Sequence, residues 1–161
     1  MSKIYQLPKS VSNQIAAGEV VQRPSSIVKE LLENSIDAKS KNIKIIIKDA
    51  GKQSITIIDD GTGMSKEDSL KCFNRHSTSK IKKAEDLYKI KSMGFRGEAL
   101  SSIAAISDVT LQTRAEKNET GHEINIRDSK VIKENKISKN LGTTIIVKNI
   151  FFNIPARRNF L

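Results

Sequence analysis

Tryptophan is absent and aromatic residues make up only 4% of the 161-residue chain, which leaves little material for a surface that works by stacking exposed bases. The single cysteine, Cys72, excludes an internal disulfide framework and any zinc site built on paired cysteines. A reducing compartment fits. The two histidines, His76 and His122, stand far apart in sequence, so neither marks a metal site by itself. No stretch approaches the roughly 18 apolar residues of a membrane span, and Met1 to Gln14 lacks the uninterrupted apolar core of a signal peptide. The expectation is a soluble protein of the cytoplasm. A Walker-type phosphate loop is also missing.

Acidic charge is the other scarcity. Lys and Arg number 28 against 18 Asp and Glu, a net charge of +10, and such an excess suits polyanionic partners. Most of it is lysine accompanied by many Ile and Asn residues, as low-GC coding produces, so charge alone leaves nucleic-acid contact and coding bias equally open.

No repeat or low-complexity segment interrupts the chain, which reads as one unit from about Ile4 onward. Ser25 is a suitable N-cap for a helix over 26–38. Ile-rich strands are expected over 42–48 and 54–58, joined by a hairpin turn at 49–53, followed by a short helix over 66–73. A further helix over 98–106 and strands over 109–113, 123–126, 131–137 and 143–150 complete the reading, with turn signals at 118–121, 128–130 and 140–142. These spacings predict an α+β fold, a two-layer sandwich with a largely antiparallel sheet and helices on one face.

Four segments carry candidate chemistry. At 100° per residue, Ile27, Val28, Leu31, Leu32 and Ile36 cover one arc of the first helix, while Glu30, Glu33, Asn34 and Asp37 fill the opposite one. That polar stripe fits a solvated surface face; it also fits a metal or water-activating site, because no basic residue falls among its acids. Asp59-Asp60-Gly61-Thr62-Gly63-Met64 follows a strand directly. It fits a plain strand-to-helix turn, and equally a loop where missing side chains let a flat ligand lie against backbone beside an acid that accepts an amino-group hydrogen bond. Gly94-Phe95-Arg96-Gly97 precedes a helix N-terminus, where backbone N–H groups favour anions, although a glycine-kinked loop with a structural arginine has the same pattern. Arg75 to Lys80 adds hydroxyls and cations that suit phosphate.

Taken in order, Asn13 to Val21, Lys29 to Ala38, Asp59 to Met64, Arg75 to Lys80, Gly94 to Leu100 and Phe151 to Arg158 resemble the GHKL ATPase family. Within it, the Ala-Ala-Gly-Glu-Val, Gly-Phe-Arg-Gly-Glu-Ala-Leu and Pro-Ala-Arg-Arg segments resemble the N-terminal region of the MutL-like mismatch-repair branch. Only about Ala115 to Asn140 falls outside the likeness. The resemblance implies the GHKL (Bergerat) sandwich, ATP and Mg²⁺ as cofactors, and a role for each matched position. Glu30 is then the general base for the water attacking the γ-phosphate, and Asn34 the Mg²⁺ ligand. Asp59 receives the adenine amino group, Gly61 and Gly63 line its loop, and Thr143 lies near the base. Thr78, Ser79 and Lys80 approach the phosphates, while Gly94, Phe95, Arg96 and Gly97 form part of a lid. Departures from the commonest pattern are Asp60, Ser77 and Lys39-Ser40; none removes a proposed catalytic group.

The resemblance further implies an ATP-driven switch that couples mismatch recognition to strand processing. Its partners are DNA, bound weakly and without sequence preference, the mismatch-recognition protein MutS, a downstream nuclease or helicase, and a second copy in a nucleotide-dependent homodimer. Residues 1–161 correspond to the N-terminal ATP-binding subdomain, expected to be cut short at its C-terminal end. The second ATPase subdomain, which in the family brings a lysine to the γ-phosphate, and the dimerisation domain are absent. Two rival readings are another GHKL member of chaperone, topoisomerase or histidine-kinase type, and a basic DNA-binding module without ATPase activity.

Overall fold

Period-two burial is clearest in the central strands of a single sheet. In the computed structural model, which describes Val21, residues 23–73 and 99–159, and Leu161, six strands form one sheet: β1 (Ile43–Lys48), β2 (Ser54–Asp59), β3 (Asp108–Arg114), β4 (Gly121–Arg127), β5 (Lys130–Ile137) and β6 (Gly142–Lys148). Their order is β1-β2-β6-β3-β4-β5 and every neighbouring pair is antiparallel. Helices α1 (Pro24–Asp37), α2 (Lys66–Lys71), α3 (Ala99–Ile106) and α4 (Pro155–Arg158) complete the described elements. None is long and apolar enough to cross a membrane.

Side chains at Ile55, Ile57, Val109, Leu111, Ile124, Ile126, Ile145 and Val147 all bury on one face of the sheet. Against them lie Ile27 and Leu31 of α1 and the Ile103 to Ile106 run of α3, so among the described residues the helical layer covers that face. Each fully buried Ile or Leu contributes about 1.5–3 kcal/mol relative to exposure. The expected α+β sandwich is what forms.

Local details differ from the sequence reading in ways with physical causes. Helix α1 starts two residues early: Arg23 occupies the N-cap without a side-chain bond, and Pro24 takes the first helical position, where its missing N–H costs nothing. Ser25 is therefore inside the helix. The apolar arc is narrower than expected, since Ile27, Leu31 and Ser35 are buried while Ile36 is 47% exposed. The turn signals at 140–142 do not close a hairpin with β5; β6 instead inserts between β2 and β3, and Gly142, at φ +122°, sits against the carbonyl of Asp59. The expected turn at 49–53 holds a short 3₁₀ turn over Asp49–Gly51. Strand β6 ends at Lys148, and Ile150 and Phe151 follow as buried loop residues. Phe151 donates its backbone N–H to Ile106 at 2.7 Å and lies under Arg157, whose guanidinium bonds the Val21 carbonyl at 3.1 Å. The Phe-Phe-Asn and Pro-Ala-Arg-Arg segments thus fasten the end of α3 to the chain before α1.

Candidate functional site

Asp59 ends β2, a strand flanked by β1 and β6, and its side chain points into the helical side of the sheet with 8% exposure. Three donors converge on it. Ser35 Oγ bonds Oδ2 at 2.8 Å, while the backbone N–H groups of Gly61 and Thr143 bond Oδ1 at 3.0 and 3.2 Å. A carboxylate has about four lone-pair sites. The described residues use three, always as acceptors, and the remaining one suits a donor such as an exocyclic amine.

The loop after Asp59 is held from two sides. Asp60 accepts the backbone N–H of Lys41 at 2.8 Å and of Asn42 at 2.9 Å, with the Asn42 amide adding a third bond at 2.9 Å. The two Asn42 bonds, and then that of Lys41, hold its carboxyl below the ordinary aspartate range. Thr62 N–H reaches the Ala38 carbonyl at 2.9 Å, and Met64 N–H reaches Thr113 Oγ1 at 2.9 Å. A Cβ at Gly61 would lie 2.6 Å from Ser40 Oγ, and one at Gly63, where φ is +66°, would overlap the Arg114 carbonyl. Packing within the fold therefore already requires glycine at both positions.

Thr143 pairs with Asp59 across the β2–β6 ladder, and its hydroxyl meets that of Thr113 at 2.8 Å. Ser35 and Thr113 received no role from the sequence. Both carried a signal: each is a hydroxyl residue on the buried phase of its element, Ser35 one turn after Leu31 and Thr113 two residues after Leu111. Lys139, half-buried in the β5–β6 connection, also escaped notice. Its ammonium donates to Thr144 Oγ1 at 3.1 Å; burial pulls its pKa below the ordinary lysine value, and the negative charge of Asp59 pushes it back up. His122, paired with Thr113 on β4, is buried with no hydrogen-bond partner at Nε2. Burial lowers its pKa, Glu134 opposes that shift and Lys66 adds to it.

The polar stripe of α1 is half-buried at Glu30, Glu33, Asn34 and Asp37, which disagrees with a fully solvated face. Glu30 and Asn34 stand one turn apart, and Asn34 is followed directly by the serine that holds Asp59. Among the described residues no three His, Cys, Asp or Glu side chains come together as a metal cluster. Thr78, Ser79, Lys80, Gly94, Phe95, Arg96 and Gly97 lie outside the described residues, as does the Asn13 to Val20 part of the first matched segment. Of the sequence-derived candidates, Glu30 and Asn34 are placed on α1, Asp59 at the end of β2, Thr143 on β6, and Gly61 and Gly63 in the loop after β2.

Residues 22–150 match the family described as histidine kinase-, DNA gyrase B-, and HSP90-like ATPase. The chain is 59% identical, over its whole length, to the DNA mismatch repair protein MutL of Christiangramia forsetii, of which it covers 26%. It is 56% identical over 98% of its length to MutL of Bacteroides fragilis, of which it covers 25%. The chain thus spans about a quarter of the length of these relatives. Among solved structures, the N-terminal domain of a DNA repair protein superposes with a TM-score of 0.76 at 32% identity, covering 92% of this chain and 42% of that one. The Aquifex aeolicus MutL ATPase domain complexed with ADP superposes with a TM-score of 0.66 at 30% identity, covering 88% of this chain and 48% of that one.

Proposed function

The chain belongs to the histidine kinase-, DNA gyrase B- and HSP90-like ATPases, and from that premise we propose that it is the ATP-binding and ATP-hydrolysing switch domain of a MutL-like mismatch-repair protein. One observation carries the reading: a buried aspartate at a strand end, filled by three internal donors, keeps one acceptor position and adjoins the helix that bears Glu30 and Asn34. The ADP complex of a MutL ATPase domain with the same fold supports a nucleotide as the ligand.

In this reading Asp59 accepts the adenine amino group, and the neighbouring Thr143 lies beside the base. An acceptor-only group favours adenine over a base that presents a carbonyl at the same edge. Glu30 orients the attacking water and takes its proton. Asn34 offers an amide oxygen, a hard donor that suits Mg²⁺, an ion held by few protein ligands alongside phosphate and water. The donor set of α1 therefore fits the metal. When bound, Mg²⁺ neutralises charge on the phosphates. Thr78, Ser79, Lys80 and the Gly94 to Gly97 segment are proposed as phosphate contacts on the strength of the family resemblance. In a longer protein of the relatives' length, nucleotide state is proposed to govern homodimerisation and engagement of DNA, MutS and a downstream nuclease or helicase, in the cytoplasm.

Titration with a non-hydrolysable ATP analogue and Mg²⁺ tests the nucleotide reading. Saturable binding is expected, with ATP preferred over GTP and at least a tenfold loss in Asp59→Asn, which exchanges an acceptor oxygen for a donor nitrogen. Equal affinity for both bases, or unchanged binding in the variant, overturns it and favours a basic module without ATPase activity.

A further inference from the structure

The face of the sheet opposite the helices carries a line of cations that sequence order conceals. Lys48, Ser54, Lys148, Asp108, Arg127 and Lys130 are successive cross-strand partners, one from each of the six strands. Direct partners point to the same side of a sheet. Their neighbours Ile55, Val147, Val109 and Ile126 are buried against the helical layer, so this row points the other way. Lys48, Lys148, Arg127 and Lys130 are exposed. Among the described residues the three lysines have no ion-pair partner, and the one carboxylate of the row, Asp108, is taken by Arg127 at 3.2 Å and by the Asn125 amide at 2.6 Å.

The next two rows on this face add Lys133 and Lys44 at the sheet edges and a single acid, Glu123, which accepts from Gln112 at 2.6 Å. Strands lie about 4.8 Å apart, so Lys48 and Lys148 are roughly 10 Å apart and the whole row spans about 24 Å. The acids of α1, Glu30, Glu33 and Asp37, belong to the helical layer.

We infer that this sheet face, on which no described helix lies, binds the phosphate backbone of duplex DNA without reading its sequence. Duplex DNA carries one charge per about 1.7 Å of axis, so a 24 Å row meets many phosphates in any register. None of the six strands contains an aromatic residue, which removes the stacking that single strands need and the aromatic anchors that dominate protein interfaces. The row presents no helix to a major groove, so base readout is lacking. The inference rests on the DNA partner of the repair reading and is independent of the nucleotide site.

The test measures anisotropy of a labelled random-sequence duplex between about 50 and 200 mM salt, for the unaltered chain, for Lys48→Ala/Lys130→Ala/Lys148→Ala, and for a control, Lys66→Ala/Lys71→Ala/Lys117→Ala. The log–log salt slope of the row variant is expected to fall in magnitude by about 2.7, close to 0.9 per lost phosphate contact, with affinity reduced on the order of a hundredfold at 0.1 M salt. The control keeps the parental slope. Should the triple variant fail to fold, Lys148→Glu alone must lower the slope by about 0.9 or more. Equal slopes in the two triple variants overturn the surface, and so does equal competition by polyglutamate and by DNA. An unaltered chain without salt-dependent DNA binding overturns the DNA partner itself. ATP-analogue affinity, read in parallel, is expected to be the same in the row variant and the parent; a loss there means that the variant has perturbed the fold, and Lys148→Glu then decides the assignment.

Discussion

Ser35 and Asp59, 24 positions apart in sequence, meet through a buried 2.8 Å hydrogen bond that joins α1 to the end of β2. Because Asn34 precedes Ser35 on the same helix, the bond fixes the proposed metal ligand relative to the proposed base acceptor. Ser35→Ala leaves an acceptor oxygen of a buried carboxylate without its donor, a loss of about 1–3 kcal/mol. For a domain of this size each kcal/mol shifts the melting temperature by about 2–4 °C. Thermal unfolding is expected to show that drop together with weaker nucleotide affinity, and Ser35→Thr, which restores the hydroxyl, to recover part of both. A melting temperature unaffected by Ser35→Ala means that the bond is unimportant in solution.

Asn34→Ala is expected to weaken Mg²⁺-dependent ATP binding, whereas Glu30→Gln keeps binding and loses hydrolysis in a protein of the relatives' length. The proposed function assigns metal coordination and water activation to different side chains of one stripe, and a base of this kind supplies roughly 100-fold to 10,000-fold in rate. Binding isotherms with and without Mg²⁺, alongside steady-state turnover, separate the roles. Equal loss of affinity in both variants contradicts that division.

Gly63→Ala is expected to destabilise the domain by more than about 1 kcal/mol, since the new Cβ meets the Arg114 carbonyl at a backbone φ of +66°. Denaturant unfolding gives the value. A loss of nucleotide binding without loss of stability is the result that would instead assign Gly63 to ligand contact alone.

Burial pushes the Cys72 thiol up to about 12, from 9.0 for a free thiol. The raised value favours the protonated folded form, so its contribution to stability is complete below pH 9 and is lost as pH rises toward 12. At pH 8, alkylation by iodoacetamide is expected to be on the order of a thousandfold slower than for the unfolded chain, because the thiolate is the nucleophile. Mass spectrometry across a urea series checks this, and rapid labelling of the native protein refutes it.

Residues 1–161 on their own are expected to hydrolyse ATP on the order of a hundredfold more slowly than a chain of the relatives' length. In the GHKL resemblance, a lysine beyond the matched segments contacts the γ-phosphate, and charge stabilisation there is a large part of catalysis. Comparable turnover numbers for the two chains rule the expectation out.

Periodicity alone determined the elements of this protein. Ile- and Val-rich runs bounded by turn residues marked the strands and the 3.6-residue spacing of Ile27 and Leu31 marked the first helix, because each depends only on neighbours a few residues away, while the composition gave the +10 charge that pointed to polyanions. The stripe carrying Glu30 and Asn34 was legible for the same reason. What sequence could not decide was partnership across distance. Turn signals near Gly142 suggested a hairpin, yet β6 lies between β2 and β3, and only that insertion brings Thr143 beside Asp59 and Thr113. Ser35 had no role to read until the sheet supplied a carboxylate for it to hold. The cation row across the bare face likewise comes from strand register, which is set by long-range hydrogen bonding and burial of one face together and leaves no periodic mark within any single strand.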